Sequence, residues 1–468
     1  MNSLELMHRE YLLFCETDRS TPDLVGEEVS LAVKAIAVKI LAELESDIPD
    51  SSDITSYSEY ITRQNFRIRN LLLLLRQFWN HLEWSSASYS QSVVPHFFDV
   101  RKQEGSIVNY DRWESFAIAN LEEELSELYQ LNERWSLILT SSGMAAYATI
   151  HNYLTRYLSY GDEVLIPVPI YHEAESLLAA VSGIQIVTPG TVNVEEILTS
   201  IRSTTKVICL TPITNDESLR FIDVNALMEK LNSIDREILV VFDGTMSGGL
   251  IRPEQFVDLN SHVKLLYFES GNKYQQFEDT AMKGIIIVPQ ALKQEFTSIR
   301  REIGTILYDW AACCLPQSIS IEELKLKMGR FARNALTIGN RVNNDVDLQN
   351  FCTVNYPLDP SHPDFTTARK YFSAQLGGVV TLSFTSQEFY DREKLDRLIN
   401  RLIDRCQSRR IPFCKGDSYG FSIPRIHIGG SKTDKPFLRL CVGSRSFDET
   451  DAFLECLLDC LKSEVATV

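Results

Sequence analysis

The sequence predicts an α/β protein: a largely parallel central sheet flanked by helices, followed by a smaller C-terminal α+β domain and preceded by an N-terminal helical extension. Three observations carry this. From about residue 107, short β-branched runs alternate with segments long enough for crossover helices, as in a sheet paired in parallel and covered on both faces. After about residue 330 that alternation gives way to strands and helices in irregular order. Residues 1 to about 90 are poor in glycine and proline and apolar at helical spacing.

The extension is expected over 1–95, where "GEEVSLAVKAIAVKILAELES" and "YSEYITRQNFRIRNLLLLLRQFWNHLEW" read as long helices without chemistry-bearing residues. A large domain is expected over 96–330. Its strands are "SLILT" (136–140), "EVLIPV" (163–168), "IQIVTP" (184–189), "KVICLTP" (206–212), "EILVVFD" (237–243), "VKLLYFES" (263–270) and "KGIIIVP" (283–289). Crossover helices fall in stretches such as "GMAAYATIHNYLTRYLS" and "VNALMEKLNSID". The small domain, 331–468, is expected to hold two or three strands, "GGVVTLSF", "FSIPRIHI" and "FLRLCVG", and two helices, "FYDREKLDRLINRLIDRCQ" and "ETDAFLECLLDCLKS".

Composition narrows the function. At 468 residues, with 44% apolar and 23% charged residues, the chain can bury a sizeable core and is not disordered throughout. Its net charge of −17 argues against nucleic acid or an anionic membrane as partner, since both are held by clustered lysine and arginine. The ten cysteines are scattered, without a C-x-x-C pair or histidines at zinc spacing, so no metal site is expected and reduced thiols in a cytoplasmic chain are the reading. The acidic N-terminus does not resemble a signal peptide, and the apolar run at 71–75 is far too short to span a bilayer.

Three segments can carry chemistry. In "LTSSGMAAYATIHNYL" (139–154) a strand ends and serines, a glycine and small residues open a helix; Ser142, Gly143 and Met144 there make an anion site, most plausibly for phosphate. In "VVFDGTMSGG" (240–249) Asp243 ends an apolar strand and faces the ligand crevice, where a buried charge needs a partner. In "FESGNKY" (268–274) another strand delivers Lys273 to the same edge. A phosphate cradle, an acid and an amine at successive strand ends suit pyridoxal 5′-phosphate, which needs an anion hole, an acid on its ring nitrogen and a lysine for a Schiff base.

With these residues in view the chain resembles the aspartate-aminotransferase-like fold type I pyridoxal-phosphate enzymes, and within them the Cys/Met-metabolism group of cystathionine γ-synthases, cystathionine lyases and methionine γ-lyases. "SSGMAA" (141–146) matches that group's phosphate loop, "FDGT" (242–245) resembles its V-D-N-T element, and "SGNKY" (270–274) its S-x-T-K-Y element. "NYDRWESFAIANLEEELSELYQL" (109–131), "MGRFARNALTIGNRV" (328–342), "DSYGFS" (417–422) and "LRLCVG" (438–443) match further elements in order.

The resemblance implies that Tyr171 stacks on the cofactor ring, Thr245 and Ser270 contact the cofactor, and Asn215 reaches its phenolic oxygen. It implies that Tyr110 and Arg112 reach the phosphate of a neighbouring subunit, hence a homodimer or homotetramer. Arg439, Ser418 and Tyr110 would bind the substrate, with Arg439 on its α-carboxylate. Departures cluster near the substrate: Gly244 replaces an asparagine, Asn272 a threonine, and "LTPITNDES" (210–218) carries its proline one place early.

The implied activity is β- or γ-elimination, or γ-replacement, on a small amino acid. Lys273 would hold the cofactor and then act as base at Cα and Cβ, while Tyr171 assists the leaving group. Two alternatives are a class I-type aminotransferase, which shares fold, aspartate, lysine and arginine, and a non-catalytic homologue acting as subunit or regulator. His172 and His427 have no acid or cysteine partner at useful spacing and read as structural or solvent-facing.

Overall fold

The computed structural model describes residues 116–256, 262–275, 279, 282–307, 312, 320–430 and 435–465. The expected N-terminal extension lies outside them, as do Tyr110 and Arg112. The first described helix, α1 (Phe116–Leu128), leads into the edge strand β1 (Trp135–Thr140). There follow α2 (Gly143–Tyr157), β2 (Glu163–Leu165), α3 (His172–Ala179), β3 (Gln185–Val187), α4 (Val194–Thr199), β4 (Thr205–Leu210), α5 (Val224–Asn232), β5 (Ile238–Asp243), β6 (Val263–Ser270), β7 (Gly284–Pro289) and α6 (Lys293–Ile303).

Among the described residues these strands form a seven-stranded sheet in the order β1-β7-β6-β5-β4-β2-β3. The pairs from β3 to β6 are parallel, whereas β7 runs antiparallel to β6 and β1. The stretch 271–283 has no apolar helical pattern that could form a crossover, so the chain returns beside β6 in the opposite direction.

The run Ile238, Leu239, Val240, Val241 and Phe242 is at most 2% exposed, as expected for a strand covered on both faces. Each such side chain contributes about 1.5–3 kcal/mol by leaving water. Leu239 and Val241 pack with residues of α2 and α3, while Val240 and Phe242 join the opposite core. Asp243 is in phase with the first pair. Glu122 of α1 ties the edge together: it accepts from Leu139 N at 2.9 Å and from Arg300 of α6 at 2.7 Å.

Beyond this sheet lie α7 (Ile321–Asn343), β8 (Cys352–Asn355), α8 (Phe365–Phe372), β9 (Val379–Phe384), α9 (Arg392–Ser408), β10 (Cys414–Lys415), β11 (Arg425–Gly429), β12 (Phe437–Cys441) and α10 (Phe447–Val465). The strands form a second sheet of five in the order β10-β11-β12-β9-β8. This is more than the two or three strands and two helices expected. The four-residue β8 and two-residue β10 are too short for a periodic signal and exist through their neighbours. Helix α7, started by a Ser320–Glu323 capping box, runs through the boundary expected at residue 330.

The segment after β4 is clamped to this second sheet. Arg220 makes a two-pronged ion pair with Asp364, at 2.6 and 3.0 Å, and Asn355 Nδ2 donates to Glu217 O at 3.0 Å. Thr381 Oγ1 also donates to Glu217 O. Among the described residues no helix is long and apolar enough to cross a membrane.

Candidate active site

Three segments of the large sheet meet at the carboxyl ends of its strands, where ligands of such sheets bind. The first is the turn after β1. Ser142 is extended and caps α2, its hydroxyl accepting from Ala145 N at 3.1 Å, and the first-turn N–H groups of Gly143 and Met144 open toward an anion. Gly143 allows the turn to press on β6, since a Cβ there would lie 2.5 Å from Ser270 Cβ. Turn and strand end thus form one cradle. Ser270 N donates to Thr245 Oγ1 at 3.1 Å, and the Ser270 hydroxyl bonds the Asn272 side chain.

Asp243 forms the floor. Its carboxylate accepts from Thr245 N at 2.9 Å and lines a small cleft with Tyr147, Ile170, Tyr171, Cys209 and Phe268. Burial raises its pKa, against the Thr245 hydrogen bonds and the Lys273 charge. A cation lodged in the cleft would relieve that cost. Tyr171 stands at the rim, immediately before α3, with 43% of its surface exposed. Burial and Glu173 push its phenol up to about 12, so it is a proton donor at neutral pH.

Lys273 follows β6. Its Nζ lies 3.3 Å from Ser418 Oγ and 4.5 Å from the centre of the Tyr419 ring. Burial and Arg439 bring its pKa down to about 8, leaving an appreciable neutral amine fraction near neutrality. Arg439 is on β12 and 9% exposed; its guanidinium carbon sits 5.1 Å from the same ring. Arg439 Nη1 donates to Asn215 Oδ1 at 2.6 Å, whereas its buried Nε has no hydrogen-bond partner among the described residues. The clamped segment after β4 therefore holds Asn215 against the arginine.

The structure thus brings Ser142, Gly143, Met144, Tyr171, Asn215, Asp243, Thr245, Ser270, Lys273, Ser418 and Arg439 to one edge of the sheet. Tyr110 and Arg112 lie outside the described residues. His172 is exposed, as expected. His427 is half-buried: it pairs across the strands with Arg439, and its Nε2 is buried without a hydrogen-bond partner among the described residues. Tyr419, between the two cations, was also missed. Both have a sequence signal, His427 through the alternation of "RIHIG" beside "FLRLC" and Tyr419 through adjacency to Ser418.

Behind the site lies a second polar group. Glu269, fully buried, accepts from Tyr129 and Tyr267 at 2.6 Å each and from Gln275 Nε2 at 2.7 Å. Burial raises its carboxyl to about 8, against those hydrogen bonds. Lys283 Nζ donates to Gln275 O at 3.3 Å. This cluster accounts for Gly244, because a Cβ there would lie 2.0 Å from the Tyr267 hydroxyl oxygen. An asparagine cannot share that space.

The sequence profile of the family described as "Cys/Met metabolism PLP-dependent enzyme" matches residues 82–405. The chain belongs to this family. It is 30% identical over 392 residues to the bifunctional enzyme flvA of Aspergillus flavus, covering 82% of this chain and 46% of that protein. With L-methionine gamma-lyase of Fusobacterium nucleatum it shares 25% identity over 250 residues, 52% of this chain and 60% of that one. The chain thus spans about half the length of the curated relatives it matches.

Two crystal structures share the fold, each with a TM-score of 0.62. Cystathionine gamma-lyase from Lactobacillus plantarum, complexed with L-serine, is 19% identical and covers 81% of this chain and 93% of its own. The metB protein of Corynebacterium glutamicum is 20% identical, covering 80% and 92%. The cofactor of a Cys/Met-metabolism enzyme is pyridoxal 5′-phosphate, and the residues present fit it: a cradle kept open by Gly143, a largely buried acid at the end of β5, and a half-buried amine nearby.

Proposed function

We propose that this protein is a pyridoxal-phosphate-dependent lyase or transferase that eliminates or replaces a β- or γ-substituent of a small amino acid. The observation that carries the reading is Lys273, a half-buried amine held by Ser418 and Tyr419 between Asp243 and Arg439, its pKa brought down to about 8. Ser142, Gly143, Met144, Thr245 and Ser270 would hold the phosphate, Tyr171 would cover the ring, and Asp243 would keep the ring nitrogen protonated. Once bound, the cofactor supplies an electron-accepting ring joined to the substrate nitrogen.

The chain's own residues do the rest. Arg439 grips the substrate carboxylate with two hydrogen bonds, which fixes the bond at Cα that faces Lys273; Asn215 restrains the guanidinium. Lys273 Nζ removes the proton from Cα and carries it along the substrate. The Ser418 hydroxyl holds that amine in place between transfers. Tyr171, protonated at neutral pH, donates to the leaving group from the rim. We place the enzyme in the cytoplasm as a homodimer or homotetramer, with Tyr110 and Arg112 completing the phosphate site of a neighbour, and divide its chain into an extension over 1–95 and domains over 96–330 and 331–468.

The test is incubation of the loaded protein with an amino acid bearing a γ-leaving group, with products read by mass spectrometry. Release of a 2-oxo acid and ammonia, or exchange of the side chain with an added thiol, supports the reading. Strict dependence of turnover on an added 2-oxo acid would make the protein an aminotransferase instead.

A further inference from the structure

The second sheet carries one polar row, and its Arg439 shares the Tyr419 ring with Lys273. Cross-strand register aligns His427 of β11 with Arg439 of β12, Arg439 with Thr381 of β9, and Thr381 with Asn355 of β8. Directly paired residues in a sheet project from the same face. Two members already have work: Thr381 and Asn355 donate to Glu217 O and so hold the segment that carries Asn215. The other two each carry a buried nitrogen without a hydrogen-bond partner among the described residues, His427 Nε2 and Arg439 Nε. Leaving a buried polar group unpaired costs about 1–3 kcal/mol, and here two such groups belong to directly paired residues of neighbouring strands, one of them the arginine that shares the Tyr419 ring with Lys273.

We propose that His427 is a second substrate-carboxylate ligand, donating from Nε2 to the carboxylate that Arg439 grips. This rests on the reading of Arg439 given above. The ring is suited to the task because it stays neutral: burial and Arg439 bring its pKa down to about 4, against the Asp417 carboxylate, with Arg392 the other charge that acts on it. A protonated imidazole would repel the guanidinium, whereas a neutral one adds a donor without adding charge. Lysine at this position would add a second positive charge beside Arg439, and an apolar residue would leave the carboxylate with the two hydrogen bonds from Arg439 alone. The consequence is selectivity: the row favours ligands with a carboxylate over isosteric amides or alcohols, because the carboxylate alone brings a negative charge and two acceptor oxygens to the donors of both residues.

The test uses the full chain loaded with pyridoxal 5′-phosphate and butanoate, a carboxylate without an amino group, with its dissociation constant measured by ligand-observed NMR. Retention of the bound cofactor's visible absorption serves as the check on folding. In His427→Phe the dissociation constant rises about tenfold, the size of one hydrogen bond to a charged group; in His427→Gln, which keeps an N–H, it rises less; in Arg439→Ala binding is lost. If His427→Phe and His427→Gln bind butanoate as tightly as the natural chain while Arg439→Ala does not, the inference falls and the reading of Arg439 stands. If Arg439→Ala also binds normally, both fall. Should His427→Phe lose the cofactor, His427→Leu, which also lacks the donor, takes its place: unchanged affinity there overturns the proposal.

Discussion

Two lysines, one half-buried and one fully buried, lie in the same link between β6 and β7. Lys273 faces the cleft beside Ser418, Tyr419 and Arg439, and its pKa is near 8. Lys283 is fully buried on the other side, bonded to Gln275 O, and burial and Lys327 bring its pKa down to about 7. By burial and pKa alone, Lys283 would be the stronger candidate for a nucleophile or base. What separates them is the company: a cleft, a phosphate cradle and a carboxylate-binding arginine on one side, a closed set of tyrosines, glutamine and glutamate on the other. A perturbed pKa marks a functional site only where a ligand can reach it.

The largest test of this contrast is substitution of each lysine. Lys273→Ala is expected to lower turnover by at least about 10²–10⁴-fold and to abolish the visible absorption of bound cofactor. Lys283→Met should keep that absorption; its loss in a folded Lys283→Met would erase the distinction. Next comes Glu269→Gln. The folded-state pKa of Glu269 is raised from its ordinary value to about 8, so the folded protein holds a proton that the unfolded chain releases, and wild-type stability falls as pH rises from about 4.5 to 8. Glu269→Gln lacks that titration. Its thermal midpoint relative to wild type should therefore climb between pH 5 and pH 8; a constant or falling difference contradicts the assignment.

Smaller effects probe the packing around the second cluster. Gly244→Ala drives a methyl onto the Tyr267 hydroxyl and should cost about 1–3 kcal/mol of stability by overpacking, read as a lowered urea midpoint. Tyr129→Phe removes one of the donors to Glu269 and should cost about 1 kcal/mol while the dissociation constant for butanoate stays as it was. A large change in that constant would mean that the two clusters are not separate.

The strands of the large sheet were legible because they are buried on both faces: "EILVVFD" and "VKLLYFES" read as apolar runs whatever surrounds them. Their ends were legible for the same reason, since Asp243 and Lys273 interrupt apolar sequence at matching points. β8 and β10 were not, because a strand of two to four residues owes its conformation to the strand beside it. The role of Gly244 was equally hidden, being decided by a tyrosine in the adjacent strand. His427 lay between these cases. Its alternation with Arg425 was in the sequence, yet its neighbour Arg439 is supplied by register alone.

The contact between Arg439 and Asn215 bears on which property the enzyme loses first. The cradle, Asp243 and Lys273 belong to one sheet, whereas the arginine comes from β12 of the second sheet and meets Asn215 only where the two sheets pack together. Under the proposed roles, the groups that hold the cofactor and the group that selects the substrate come from different sheets, so a change that loosens the docking of the second sheet costs substrate discrimination before it costs cofactor binding.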